Sequence, residues 1–204
     1  MRQAIAAQAA RLIAEDGLAD FGTAKRKAAR HLGYSESDGL PDNQEVEQEL
    51  RAYQSLYQNE EQRLRLLDMR QVALEVMREL TAYQPYLAGA VWNGTATRAA
   101  AIDIDLFTDD LKSLELWLLN RGVAYSTSER PHFIKALHAR IPVLRFELHD
   151  YSVRLAVFAE ADARHALKAG AAGHAERGTA EQIDALAQTE NNETALQGFL
   201  ATIR

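Results

Sequence analysis

The hexapeptide Ile102-Asp103-Ile104-Asp105-Leu106-Phe107 constrains this chain more than any other stretch. Aliphatic and carboxylate side chains alternate through it, which is the period of a β-strand. Asp103 and Asp105 therefore leave the same face, about 7 Å apart at the backbone. Two like charges on one face of a central strand need a cation or a solvent-open cleft to compensate them. Just before it, Leu87-Ala88-Gly89-Ala90-Val91-Trp92 reads as a short buried strand that stops at Asn93-Gly94-Thr95.

The chain has 204 residues, 47% hydrophobic and 25% charged, enough to bury a core and too apolar for bulk disorder. It has no cysteine, which excludes disulfides and thiolate metal sites and fits a reducing compartment. Its apolar runs fall short of the roughly 18 to 20 residues that span a bilayer, and Met1-Arg2-Gln3-Ala4-Ile5 reads as the start of an amphipathic helix instead of a signal peptide. A cytoplasmic protein without a membrane partner is expected. The formal net charge of -6 makes general binding of duplex nucleic acid unfavourable.

Three regions are expected: helices over 1–84, a sheet domain over 85–160 and a helical extension over 161–204. Apolar spacing predicts helices over 3–15, from 23 to about 32, 43–57 and 60–83. Lys25, Arg26, Lys27 and Arg30 make the only concentrated basic cluster, on the second of these. A helix, a Gly-containing turn and a basic helix loosely resemble a DNA-binding helix-turn-helix; a solvated face over packed Ala24, Ala28 and Leu32 is the simpler expectation. Past the Asp-x-Asp strand, the pattern predicts a helix over 110–121 capped by Thr108 or Asp109. Strands are expected over 123–126, 142–148 and 152–158, with a turn at Ser128–Pro131. Short helices are expected over 161–168, 179–187 and 193–203, with a flexible link over 169–178. In the 142–148 strand Leu144, Phe146 and Leu148 face one way and Val143, Arg145 and Glu147 the other.

Gly94-Thr95, Arg98 and Asp103-Ile104-Asp105-Leu106, taken in order, resemble the signature of the polymerase-beta-like nucleotidyltransferase superfamily. That signature is a hydrophobic strand, Gly followed by Gly or Ser, a helix containing Arg, and a strand carrying Asp-x-Asp. The resemblance covers roughly residues 87–160. Two departures stand out: Thr replaces Ser at position 95, and the seven residues between Thr95 and Asp103 are a short interval for the family.

The resemblance implies an α+β fold with a small mixed sheet of the nucleotidyltransferase type, and a nucleoside triphosphate lying between the glycine turn and the carboxylates. It implies two Mg2+ ions on Asp103 and Asp105 with a third acid from a later strand, for which Glu147 is the candidate. Oxygen ligands suit such hard cations, which activate the attacking hydroxyl and hold the triphosphate. Gly94, Thr95 and Arg98 would bind the phosphates, through backbone amides at a helix start, the threonine hydroxyl and the guanidinium. The expected reaction is magnesium-dependent transfer of a nucleotidyl group to an acceptor the sequence does not identify. The alternative is a catalytically silent protein of the same fold, binding a protein or RNA partner, with residues 1–84 as the platform. Convergence of Glu147 with Asp103 and Asp105 discriminates the two.

Overall fold

The structure, a computed structural model, describes residues 1–18, 20–35, 39–57, 60–132, 139–166 and 177–189, without the side chains of 55–57, 60, 165 and 166. The chain forms two compact units, one of residues 1–66 with 94–100, the other of 67–93 with 101–204. The division falls inside a helix, earlier than the boundary at 84 that composition suggests.

The first unit is helical: α1 (Arg2–Asp16), α2 (Phe21–His31), α3 (Asn43–Tyr57) and the start of α4 (Glu60–Glu79). Ile5, Ala9, Leu12 and Ile13 of α1 pack with Ala24 and Ala28 of α2 and with Val46 and Leu50 of α3 in one buried cluster. Alanine at the contact positions lets the helices approach closely. Gly17, with φ 67°, ends α1 in the left-handed conformation that a residue with Cβ enters at a cost. Asp20 caps α2 by accepting from the Thr23 amide. The basic cluster on α2 serves this unit: Lys25 donates to the Pro41 carbonyl and to Asn43, Lys27 pairs with Asp16 at 2.9 Å, and Arg26 lies 4.0 Å from Asp20. Three of the four cations thus have partners within this unit, and Ala24 and Ala28 are buried as the simpler expectation has them, whereas Leu32 is 40% exposed instead of packed inward.

The second unit contains a six-stranded mixed sheet in the order β3-β4-β5-β2-β1-β6. Its elements are β1 (Tyr86–Ala88), α5 (Gly89–Asn93), β2 (Ile102–Phe107), α6 (Leu111–Asn120), β3 (Tyr125–Pro131), β4 (Arg140–Leu148), β5 (Tyr151–Phe158), α7 (Ala163–Ala166) and β6 (Arg177–Gly178), then a helix α8 over 180–189. Strand β2 runs parallel to β5; every other pairing is antiparallel. On one face Ile102, Ile104, Leu106, Val153, Leu155 and Leu144 are wholly buried. On the other, Phe107, Ile141, Val143, Ala156 and Phe158 form an apolar cluster at the end of β2 and β5, beside the two aspartates. Helix α4 is fastened to this unit by Arg70, which donates to the Val91 and Trp92 carbonyls, and by Asp68, which accepts from the Tyr151 hydroxyl at 2.6 Å.

Strand β2 has the predicted bounds, and the β4–β5 hairpin turns at His149-Asp150, both at positive φ (49° and 65°), as a tight two-residue hairpin requires. Elsewhere local pattern misleads. The expected strand over 87–92 is only three residues long, because Gly89 adopts φ 63° and turns the chain into α5. Ser128–Pro131 extends β3 instead of turning. Proline is tolerated there because β3 is an edge strand, where the missing donor breaks no ladder. The cap of α6 is Asp110, one residue beyond the expected pair, accepting from the Ser113 amide at 3.0 Å. Within the expected link at 169–178, residues 177–178 form β6; residues 169–176 and the expected helix over 193–203 lie outside the described residues.

Candidate functional site

Pairing in register places neighbouring side chains on one face, so the surroundings of the aspartates can be read strand by strand. Asp103 stands opposite Ala88 on β1 and Arg154 on β5; Arg154 in turn stands opposite Arg145 on β4, and Arg145 opposite Ser126 on β3. Asp105 stands between Tyr86 and Ala156. The charges are met by guanidinium groups. Arg154 donates to Asp103 Oδ2 at 2.6 Å. Asp105 is 1% exposed, and each of its oxygens accepts a hydrogen bond at 2.7 Å, Oδ1 from Arg130 and Oδ2 from Arg177.

These contacts have a clear electrostatic logic. A carboxylate withdrawn from water is costly to keep ionised unless it is paired and hydrogen-bonded, and charge-assisted donors on both oxygens of Asp105 meet that demand. Arg177 is nearly as buried as its partner, whereas Arg130 reaches Asp105 from a half-open position with its guanidinium 5.4 Å from the Phe158 ring centroid. Asp103 differs. Burial raises its pKa above the ordinary aspartate range, and the Asp105 charge adds slightly to the rise; the Arg154 hydrogen bond and the charges of Arg154 and Arg130 oppose it without cancelling it.

Glu147 does not join them. It lies on β4 opposite Ser152 of β5, two strands from β2 and out of the Asp103 row, which separates it from Asp103 by roughly 12 Å at the backbone. Its side chain is 61% exposed and lies 3.6 Å from Arg145. The strand beside β2, where a third acid would most directly reach the aspartates, presents Arg154 and Ala156. Among the described residues no three His, Asp or Glu side chains are grouped to hold a metal ion.

Gly94, Thr95 and Arg98 belong to the helical unit, whereas Asp103 and Asp105 belong to the sheet unit. Thr95 is buried and its carbonyl accepts from Gln54; Arg98 is 80% exposed and pairs with Glu61 at 3.0 Å. No helix begins at Gly94: α5 ends at Asn93 and residues 94–100 are irregular. The phosphate cradle expected of a Gly94-Thr95 helix start is therefore not formed. Gly89, at the junction of β1 and α5, lies against Asp103: an added Cβ there would stand 3.0 Å from Asp103 Oδ2.

The fit of these residues to two Mg2+ ions can be judged from their donors. Each ion needs several oxygen ligands in near-octahedral array. Two carboxylates offer four oxygens, of which three already accept from arginine, and the acid proposed to complete the set lies on another part of the sheet. The described residues do not fit a two-ion centre. The sequence reading missed Arg130, Arg154 and Arg177. Arg154 carried part of a signal, being a charged position on the expected 152–158 strand, but nothing in the sequence sets that strand beside β2; Arg177 carried none, because a two-residue strand has no periodicity. No protein-family model, curated protein or solved structure matches the chain.

Proposed function

We propose that this chain is a catalytically silent binding protein built on a nucleotidyltransferase-type sheet. The observation that carries this reading is Asp105, buried with both oxygens occupied by Arg130 and Arg177. The side chain that would be the central metal ligand of an active enzyme is here the acceptor in a structural ion-pair network. Asp103-x-Asp105 on a strand inside a mixed sheet supports the kinship of the sheet; Arg154 in the strand next to Asp103 supports the loss of chemistry. Magnesium-dependent nucleotidyl transfer, the competing reading, requires Glu147 or another acid to reach the pair and the arginines to give way.

The test is calorimetry with ATP, CTP, GTP and UTP, with and without magnesium, on the wild-type chain and on the Asp103→Asn, Asp105→Asn double variant. Magnesium is expected to add nothing to any triphosphate's binding. A magnesium-dependent affinity in the wild type that disappears in the double variant refutes the silent reading.

A further inference from the structure

Arg154 and Arg145 stand directly opposite each other on β5 and β4, on the exposed part of the sheet face that carries Asp103. Like charges in this relation are destabilising unless something anionic lies between or above them. Asp103 engages Arg154 through one oxygen, and Arg154 remains 46% exposed. Arg145 is 58% exposed, and its ion pair with Glu147 at 3.6 Å is too long for a hydrogen bond. Each guanidinium carries five donors, so most of this pair's donor capacity faces solvent. Ser126, opposite Arg145 on β3, adds an exposed hydroxyl to the same row.

We infer that the row Arg154, Arg145, Ser126 binds a phosphate monoester without a metal ion. Strands lie about 4.8 Å apart, so two neighbouring guanidinium groups can share the oxygens of one tetrahedral dianion, each by charge-assisted hydrogen bonds, with the serine hydroxyl as a further donor. Beside the row, Gly122, Val123, Ala124 and Tyr125 join Arg145 and Glu147 in lining a groove of about 590 Å³, a size that suits a small molecule. Glu147 gives the groove an acceptor for hydroxyl groups and repels a second negative charge. The ligand class is thus a monoester whose body carries hydroxyls, a sugar phosphate or a nucleoside monophosphate. A single-stranded nucleic acid fits less well, since each of its phosphodiesters carries one negative charge where two neighbouring guanidinium groups suit a dianion.

The inference rests on the silent reading, in which the aspartates are already paired with arginines and Arg154, engaged by Asp103 through one oxygen, stays half-exposed. It is tested by calorimetry in excess chelator with ribose 5-phosphate, adenosine monophosphate, inorganic phosphate, ribose and a short single-stranded RNA, on wild type and Arg145→Ala. Both esters are expected to bind and ribose to be inert. Arg145→Ala, an exposed substitution that leaves the core untouched, weakens ester binding at least tenfold. Inorganic phosphate binding as well as the esters identifies the free anion as the source and keeps the site. Absence of binding by every phosphate compound, binding confined to the RNA, or equal affinity in Arg145→Ala overturns the site. None of these results depends on magnesium, so the site can fail while the silent reading stands.

Discussion

Replacing Arg177 with methionine tests the ion-pair network where it is most buried. The substitution keeps an unbranched apolar stem of similar length and removes the donor to Asp105 Oδ2, leaving a carboxylate that is 1% exposed with Arg130 alone. Removing one partner of a buried pair costs about 3–5 kcal/mol, because the other charge stays dehydrated and uncompensated. Arg130 retains part of the compensation, so a loss of about 2–4 kcal/mol is expected. With a urea slope of about 2 kcal/mol/M, the midpoint falls by roughly 1–2 M. Both tryptophans, Trp92 and Trp117, belong to the sheet unit, so intrinsic fluorescence follows the unit that holds the network. The partner variant is Asp105→Leu, Arg177→Met, which removes the buried charge with its donor and should recover most of the loss, since Arg130 reaches water once freed. A loss below about 0.5 kcal/mol in Arg177→Met, of the size expected for an ordinary surface substitution, refutes the claim that Asp105 depends on this arginine. A double variant as unstable as the sum of its single changes refutes the coupling.

Two further outcomes follow from the same face. Because burial raises the Asp103 pKa, the folded state holds a proton there that the unfolded chain has released. This contribution to stability is present below the ordinary aspartate value and is lost as pH rises through the raised one. Asp103→Asn removes that dependence, so urea midpoints measured across mildly acidic pH should show the variant gaining on the wild type as pH rises through this window; parallel curves refute the assignment. Gly178→Ala drives a Cβ into the Trp92 ring. It should undock β6 from β1, shift the Trp92 emission and cost about 1–3 kcal/mol, as overpacking does; unchanged emission and stability refute the close packing.

The strength of local pattern as a guide depends here on how far each element is specified by its own residues. The alternation of Ile102, Ile104 and Leu106 with Asp103 and Asp105 is enough to define β2, because one face must be buried and a shift by one residue would exchange the faces. The alanine-rich stripes of α1 and α2 are similarly self-sufficient. The run 87–92 is not: it is apolar throughout, a pattern equally suited to strand and helix, and the left-handed turn at Gly89 decides where one gives way to the other.

Sequence alone therefore determined that two carboxylates share one face of a central strand and that something must compensate them. Which groups do so was decided by tertiary structure. Arg130, Arg154 and Arg177 lie 25, 51 and 72 residues from the aspartates they bind. The pairing of β2 with β5, and of β6 with β1 in the same sheet, sets two of these guanidiniums on their strands beside the aspartates, while Glu147 is held in a different row. Strand order and register are properties of long-range packing, to which periodicity within a segment carries no reference, so the same two aspartates read as metal ligands in the sequence and stand as arginine acceptors in the folded chain.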